Sequence, residues 1–95
     1  MSEVHVLGTM SELAVQRDLL SRGYVVYALV EQRHHPDLIV VDKDGERFSV
    51  EVRTERVDGR REKKATDHCD VYSWVCRDGR IEYEPALWQQ PVEIQ

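Results

Sequence analysis

Two short stretches of alternating apolar and polar residues, Asp37–Val41 and Arg47–Arg53, flank the polar run Asp42-Lys43-Asp44-Gly45-Glu46 and read as a β-hairpin. A three-residue turn, Lys43-Asp44-Gly45, with glycine last suits a type I turn closed by a left-handed glycine. In that register Asp42 faces Glu46, and Asp37 faces Glu51. The alternation leads to the same register independently. Leu38 and Val40 share one face with Phe48, Val50 and Val52, while Asp37, Glu51 and Arg53 share the other. A two-residue turn at Asp44-Gly45 would instead send Asp37 and Glu51 to opposite faces.

The rest of the chain supplies one helix and three further strands. Val4–Leu7 reads as a short extended piece ending at Gly8. Thr9 or Ser11 then caps a helix that runs to about Arg22, with Gly23 as its stop. At ~100° per residue, Leu13, Val15, Leu19 and Leu20 are assigned to one apolar arc, with Glu12 inside it and Gln16 one turn on. A carboxylate on a core-facing stripe is costly unless a metal ion or a cation such as Arg53 compensates it. Tyr24–Leu29 is a β-branched and aromatic strand, and residues 31–35 are a polar connection. Residues 54–66 read as a mobile charged loop, with a short helical turn near Glu62–Ala65. Asp70–Cys76 and Ile81–Tyr83 form a second hairpin around Asp78-Gly79, and the tail from Pro85 is a loop or an edge strand. This order predicts an α/β or α+β fold in a single domain, residues 1–95, with the helix packed on a mixed sheet of about five strands.

Composition narrows this picture only a little. Charged residues are 33% and hydrophobic residues 41% of 95, which is globular rather than disordered. The net charge of -5 argues against a general nucleic-acid binder. Its distribution weakens that argument, because six Lys/Arg stand against three acids between Arg53 and Lys64. Two cysteines, Cys69 and Cys76, are too few for a disulfide framework. No signal-like segment is evident, and no apolar run approaches the ~20 residues of a bilayer span, so the expectation is a cytoplasmic protein with reduced thiols and no membrane partner. A chain this small buries a modest core, and pairing into a homodimer would suit it.

Asp37, Glu51 and Arg53 have two readings. They are a cross-strand ion-pair cluster on a solvated face, or a site in which two carboxylates share a cation, since directly opposed side chains lie ~4.5–5.5 Å apart at Cβ. The second reading also expects mutual repulsion to raise the pKa of one carboxyl when no metal is bound. His34, His35, His68 and Cys69 match no established zinc spacing and read as loop residues, with His35 near enough to the site to touch a phosphate. Tyr72, Trp74 and Trp88 are assigned to the core or to a dimer interface. Asp70, at a strand start, is assigned a supporting role beside the motif.

Taken together, Gly8 with Glu12, Gly23-Tyr24, Pro36-Asp37-Leu38-Ile39-Val40 and Val50-Glu51-Val52-Arg53-Thr54 resemble the PD-(D/E)xK nuclease superfamily. The likeness is to its minimal form, similar to archaeal Holliday-junction resolvases and related small endonucleases, and continues more weakly through Asp70-Val71-Tyr72. The resemblance implies a restriction-endonuclease-like core with the active site on the hairpin. Asp37 and Glu51 would hold Mg²⁺, or Mn²⁺ in its place, with the Val52 carbonyl as a further ligand and Glu12 joining directly or through water. DNA would be the substrate, possession of a junction- or repair-type selectivity would follow, and Arg56, Arg60, Arg61, Lys63 and Lys64 would meet its backbone. The last motif position is ordinarily lysine, and here it is Arg53. Arginine can clamp a phosphate but cannot act as a base. The expectation is therefore a metal-dependent DNA endonuclease, or a catalytically impaired nuclease-fold module that binds nucleic acid or a protein.

Overall fold

The chain runs α1 (Glu3–Ser21), β1 (Val25–Ala28), β2 (Leu38–Val41), β3 (Arg47–Thr54), β4 (Val71–Val75) and β5 (Ile81–Glu84) in the computed structural model. The structure describes residues 3–28 and 37–91, with side chains from residue 8 onward. The strands form one sheet in the order β1-β2-β3-β4-β5, antiparallel throughout except for the parallel pair β3 and β4. One helix on a five-stranded mixed sheet is an α+β fold, as the order of elements predicts.

Helix α1 ends as its sequence dictates. Gly23, at φ +84°, takes the left-handed position past the last turn. Its N–H bonds the carbonyl of Leu20 at 3.0 Å, while the N–H of Tyr24 reaches back to Leu19 at 3.2 Å. This pair of bonds is a Schellman cap, and the buried Leu19 and Tyr24 supply its hydrophobic contact. The start of the helix differs from expectation. Val4–Leu7 is helical rather than extended, and Gly8 lies within the helix. The apolar arc is also narrower than expected. Val15 and Leu19 are fully buried, but Leu13 and Leu20 are 59% and 58% exposed. At 100° per residue these two leucines fall roughly 140–160° around from Val15, on the outer face with Met10. The inner face is instead Ser11, Val15 and Leu19, flanked by half-buried Glu12 and Gln16.

That inner face packs on one side of the sheet against Leu38, Val40, Val50, Val52 and Val71, and Tyr24 meets Phe48 edge-on at 5.5 Å. Ser11 Oγ lies 2.9 Å from Thr54 Oγ1, so the helix runs antiparallel to β3 and brings Glu12 near the C-terminal end of that strand. The tail is irregular between residues 85 and 91 and forms no edge strand. Its anchor is buried Gln89, whose amide donates to the Arg22 carbonyl at 2.8 Å and accepts from the Lys43 N–H at 3.0 Å. This one side chain ties the helix end to the β2–β3 turn.

The opposite side of the sheet is covered over β4 and β5 by the crossover from β3, residues 55–70. Trp74 is 1% exposed beneath it, with Arg61 stacked over its ring at 5.6 Å and Lys63 over Tyr72 at 5.1 Å. This segment has turns but no helical turn at Glu62–Ala65. Arg56-Val57-Asp58-Gly59-Arg60 repeats the turn of Asp42–Glu46. In both, the fourth residue is a left-handed glycine whose N–H bonds the first carbonyl, and the first N–H bonds the fifth carbonyl. Cys76–Arg80 is a third copy at the β4–β5 hairpin. Of the three aromatic residues assigned to the core or an interface, Trp74 is core, while Trp88 is 52% exposed with Lys43 Nζ 4.9 Å from its ring centre.

Because Gln89 satisfies two backbone groups at once, Gln89→Ala should cost roughly 1–3 kcal/mol in urea unfolding. Trp88→Ala, which removes an exposed ring, should cost less than about 1 kcal/mol in the same measurement. Equal losses in the two variants would contradict the anchoring role of Gln89.

Candidate active site

The β2–β3 register pairs Leu38 with Val50 and Val41 with Arg47, and Asp37 therefore lies opposite Glu51, as the three-residue turn predicts. Asp37 sits one residue before β2. Its Oδ2 accepts the backbone N–H of Val52 at 2.8 Å, so the carboxylate takes the place of the next strand partner. Glu51 and Arg53 project to the side of the sheet away from α1. Arg53 Nη1 donates to Glu51 Oε1 at 2.8 Å. The sequence-predicted trio Asp37, Glu51 and Arg53 is thus brought together.

The environment is only partly wet, since the Glu51 side chain is 12% exposed and that of Arg53 25%. Burial pushes the Glu51 carboxyl up to about 7; the charge of Asp37 adds to this, its hydrogen bond to Asp37 adds again, and the Arg53 guanidinium opposes it. The expected rise of one carboxyl is present, and desolvation outweighs repulsion as its cause. Two facing carboxyls in a half-buried niche, one of them raised by burial, are a natural seat for a hard cation, which takes oxygen ligands and displaces a proton on binding. Asp37 and Glu51 fit a magnesium-type ion on this ground.

Glu12 is half-buried on the helix, next to Ser11, whose hydroxyl meets Thr54 at the C-terminal end of β3. Among the described residues, the one trio whose ligand atoms all lie within 4.8 Å of each other is Glu55, Cys76 and Glu82. A cation already fills it, because Arg61 bonds Glu55 at 3.0 Å and also pairs with Glu82. Val52 contributes a core side chain, 8% exposed, and its N–H holds Asp37.

Two participants escape a reading of local motifs. Asp67, on the crossover, accepts Arg53 Nη2 at 2.5 Å, the Tyr72 hydroxyl at 2.9 Å and the Lys64 N–H at 2.8 Å. Burial works to raise its carboxyl, but these donors prevail and hold it below the ordinary carboxylate range. Cys69 is half-buried nearby, its thiol pushed up by burial and by the charge of Glu51. A polar residue at the end of a crossover gives no periodic signal, and only the fold brings it back over β3. Asp70, by contrast, clips β4 to β3 through the Ser49 N–H at 2.8 Å, a structural bond outside the site.

The basic segment is largely neutralised in place. Arg56 pairs with Glu62 at 2.5 Å, Arg60 with Asp58 at 2.6 Å, and Lys63 with Glu84. Lys64 engages Asp67 through its backbone N–H. His34, His35 and Pro36 lie outside the described residues.

No protein-family model matches the chain, and no curated protein matches it. Among solved structures, its fold is similar to that of a bacterial homing endonuclease, I-Ssp6803I, with a TM-score of 0.67 at 15% identity over 86% of this chain and 68% of that one. At that identity the likeness is one of fold. No helix among the described residues is long and apolar enough to cross a membrane.

The raised Glu51 carboxyl carries a signed consequence for the metal-free protein. Its folded value of about 7 exceeds the ordinary 4.5, so the folded state binds the extra proton between those limits. Stability contributed by the protonated group is full below the lower limit and is lost as pH rises through the upper one. Glu51→Gln removes the penalty. In EDTA at about pH 8 the variant should exceed wild type by roughly 1–3 kcal/mol in urea unfolding, and the gain should vanish below about pH 5. A gain independent of pH would refute the assignment.

Proposed function

We propose that this chain is a divalent-metal-dependent DNA endonuclease of the PD-(D/E)xK type, with Mg²⁺ as its cofactor and Mn²⁺ as a substitute. The observation that carries the reading is the facing of Asp37 and Glu51 across the hairpin, with Arg53 at 2.8 Å from Glu51, at the motif positions. The similarity of the fold to a homing endonuclease supports it further. Asp37 and Glu51 would hold the ion, with the Val52 carbonyl as a further ligand and Glu12 joining through water. The ion, when bound, neutralises phosphate charge and lowers the pKa of a bound water. Arg53 then serves as a fixed clamp on the scissile phosphate, since a guanidinium stays protonated and cannot accept the water's proton. Arg56, Arg60, Arg61, Lys63 and Lys64 would exchange their internal acid partners for DNA phosphates, and junction or repair intermediates are the substrates favoured.

Incubation with supercoiled plasmid, a flap and a four-way junction in Mg²⁺ or Mn²⁺ tests this. Cleavage is expected, with Asp37→Ala and Glu51→Ala each lowering its rate by about 100-fold or more. Absence of cutting with every divalent ion would defeat the proposal.

A second reading, a nuclease-fold module that binds nucleic acid or a protein without cutting, draws on the grip of two acids on Arg53, Glu51 at 2.8 Å and Asp67 at 2.5 Å. Arg53→Lys separates the two. A cutting wild type that stays within about tenfold supports the clamp role, whereas an inert wild type that begins to cut identifies an enzyme that has lost its lysine.

Pairing of two copies belongs to the same proposal. Edge strand β1 carries no charge or proline and exposes Val25 (51%) and Tyr27 (57%), while the other edge, β5, bears Glu82 and Glu84 and runs into Pro85. Edges of the first kind invite a partner strand, and edges of the second repel one. Sedimentation should find a dimer that Tyr27→Lys dissociates; a monomeric wild type at tens of micromolar would exclude it.

A further inference from the structure

Asp67 lies outside the hairpin motif, fourteen residues past Arg53, yet it is the most fully hydrogen-bonded acid around the arginine. Its side chain is 7% exposed, and three donors converge on it: the Arg53 guanidinium, the Tyr72 hydroxyl and the Lys64 N–H. The Arg53 guanidinium is consequently held at two nitrogens by two different acids, Nη1 by Glu51 at 2.8 Å and Nη2 by Asp67 at 2.5 Å. Tyr72 is itself fixed, stacked on buried Trp74 at 5.4 Å with the rings 15° apart, so the hydroxyl that orients Asp67 stands on rigid ground.

A guanidinium with a single acid neighbour settles on it, bidentate where geometry allows. Were Asp67 missing, Arg53 would turn both nitrogens to Glu51 and compete with any divalent ion for the same oxygens. We propose that Asp67 is a positioning residue for the cleavage reaction: it holds the second nitrogen of Arg53 away from Glu51, leaving one oxygen of that carboxylate open to the metal and the guanidinium aimed at the phosphate. This rests on the nuclease reading above. Asp67 acts through Arg53 and touches neither metal nor substrate. It also gives a reason why arginine can occupy a position that lysine ordinarily fills, because a planar fork can be held by one acid while it serves beside another.

The test uses Asp67→Asn and Tyr72→Phe, each alone and in an Arg53→Gln background, with thermal melts to establish folding. Nitrogen-15 spectra of the metal-free protein read the grip directly. Wild type should give resolved, slowly rotating Arg53 Nη signals that Asp67→Asn abolishes and Tyr72→Phe weakens. Mn²⁺ titration should show a loss of about tenfold in affinity for Asp67→Asn, and cleavage should show a fall of about tenfold in kcat with KM moving less than about threefold. With Arg53→Gln already present, Asp67→Asn should change either quantity by less than about twofold, because its effect passes through the arginine. An undiminished effect in that background would make Asp67 a direct ligand and overturn the proposal. So would a cutting Asp67→Asn variant with wild-type kcat and intact Arg53 signals, and the nuclease reading would then survive alone. A wild type that never cuts ends both. Should Asp67→Asn fail to fold, Tyr72→Phe decides, since it removes one donor and no charge: unchanged Arg53 signals and kcat there would overturn the proposal.

Discussion

The arrangement of the site depends on one backbone constraint, the left-handed glycine that closes the β2–β3 turn. Gly45 at φ +83° makes a three-residue connection possible, and the connection sets which residue of β2 faces which residue of β3. A slip of one position would keep both strands and lose the site, because Asp37 would turn toward α1 while Glu51 and Arg53 stayed on the far side. Both the hydrophobic core and the charged niche follow from this register. Leu38, Val40, Val50 and Val52 meet Val15 and Leu19 on one side, and the acids and Arg53 gather on the other.

Placing acids in that niche is expensive. Glu51 is 12% exposed at its side chain with Asp37 beside it, so solvent only partly stabilises two negative charges there. The protein answers with a raised Glu51 carboxyl, with the Val52 N–H on Asp37 and with Arg53, itself balanced by Asp67. Each part offsets the desolvation of the next, and the set behaves as one network rather than as separate ion pairs. The surface pairs of the crossover differ in kind: Arg60–Asp58 is 70% and 47% exposed at its side chains and adds little to stability.

Much of this was legible along the chain, and the parts that were not share a cause. Turn chemistry and period-two alternation are local signals, and they specified the hairpin, its register and the facing of Asp37 toward Glu51. The Gly23 stop was equally local. The helix face differs from the four-residue apolar arc because the angles divide it: Leu13 and Leu20 agree with each other but not with Val15 and Leu19. The turn at Val57-Asp58-Gly59 carries the same local signal as Lys43-Asp44-Gly45 and Arg77-Asp78-Gly79, but the charges around it mask that signal. Asp67 was out of reach. Its partner lies on a neighbouring strand, and only the parallel pairing of β3 with β4 returns it there.

That parallel pairing makes the crossover a measuring device. Two strands pointing the same way need a long return path, and here its far end delivers the carboxylate that meets Arg53. Extra residues in such a path would change closure entropy only slightly, so the sheet would tolerate them. The meeting of Asp67 with Arg53 would not, because its donor and acceptor must arrive within hydrogen-bonding distance. Spacer length between the two strands is thus a coordinate along which the chain could drift while remaining folded, tuning or silencing its chemistry without altering any residue of the hairpin.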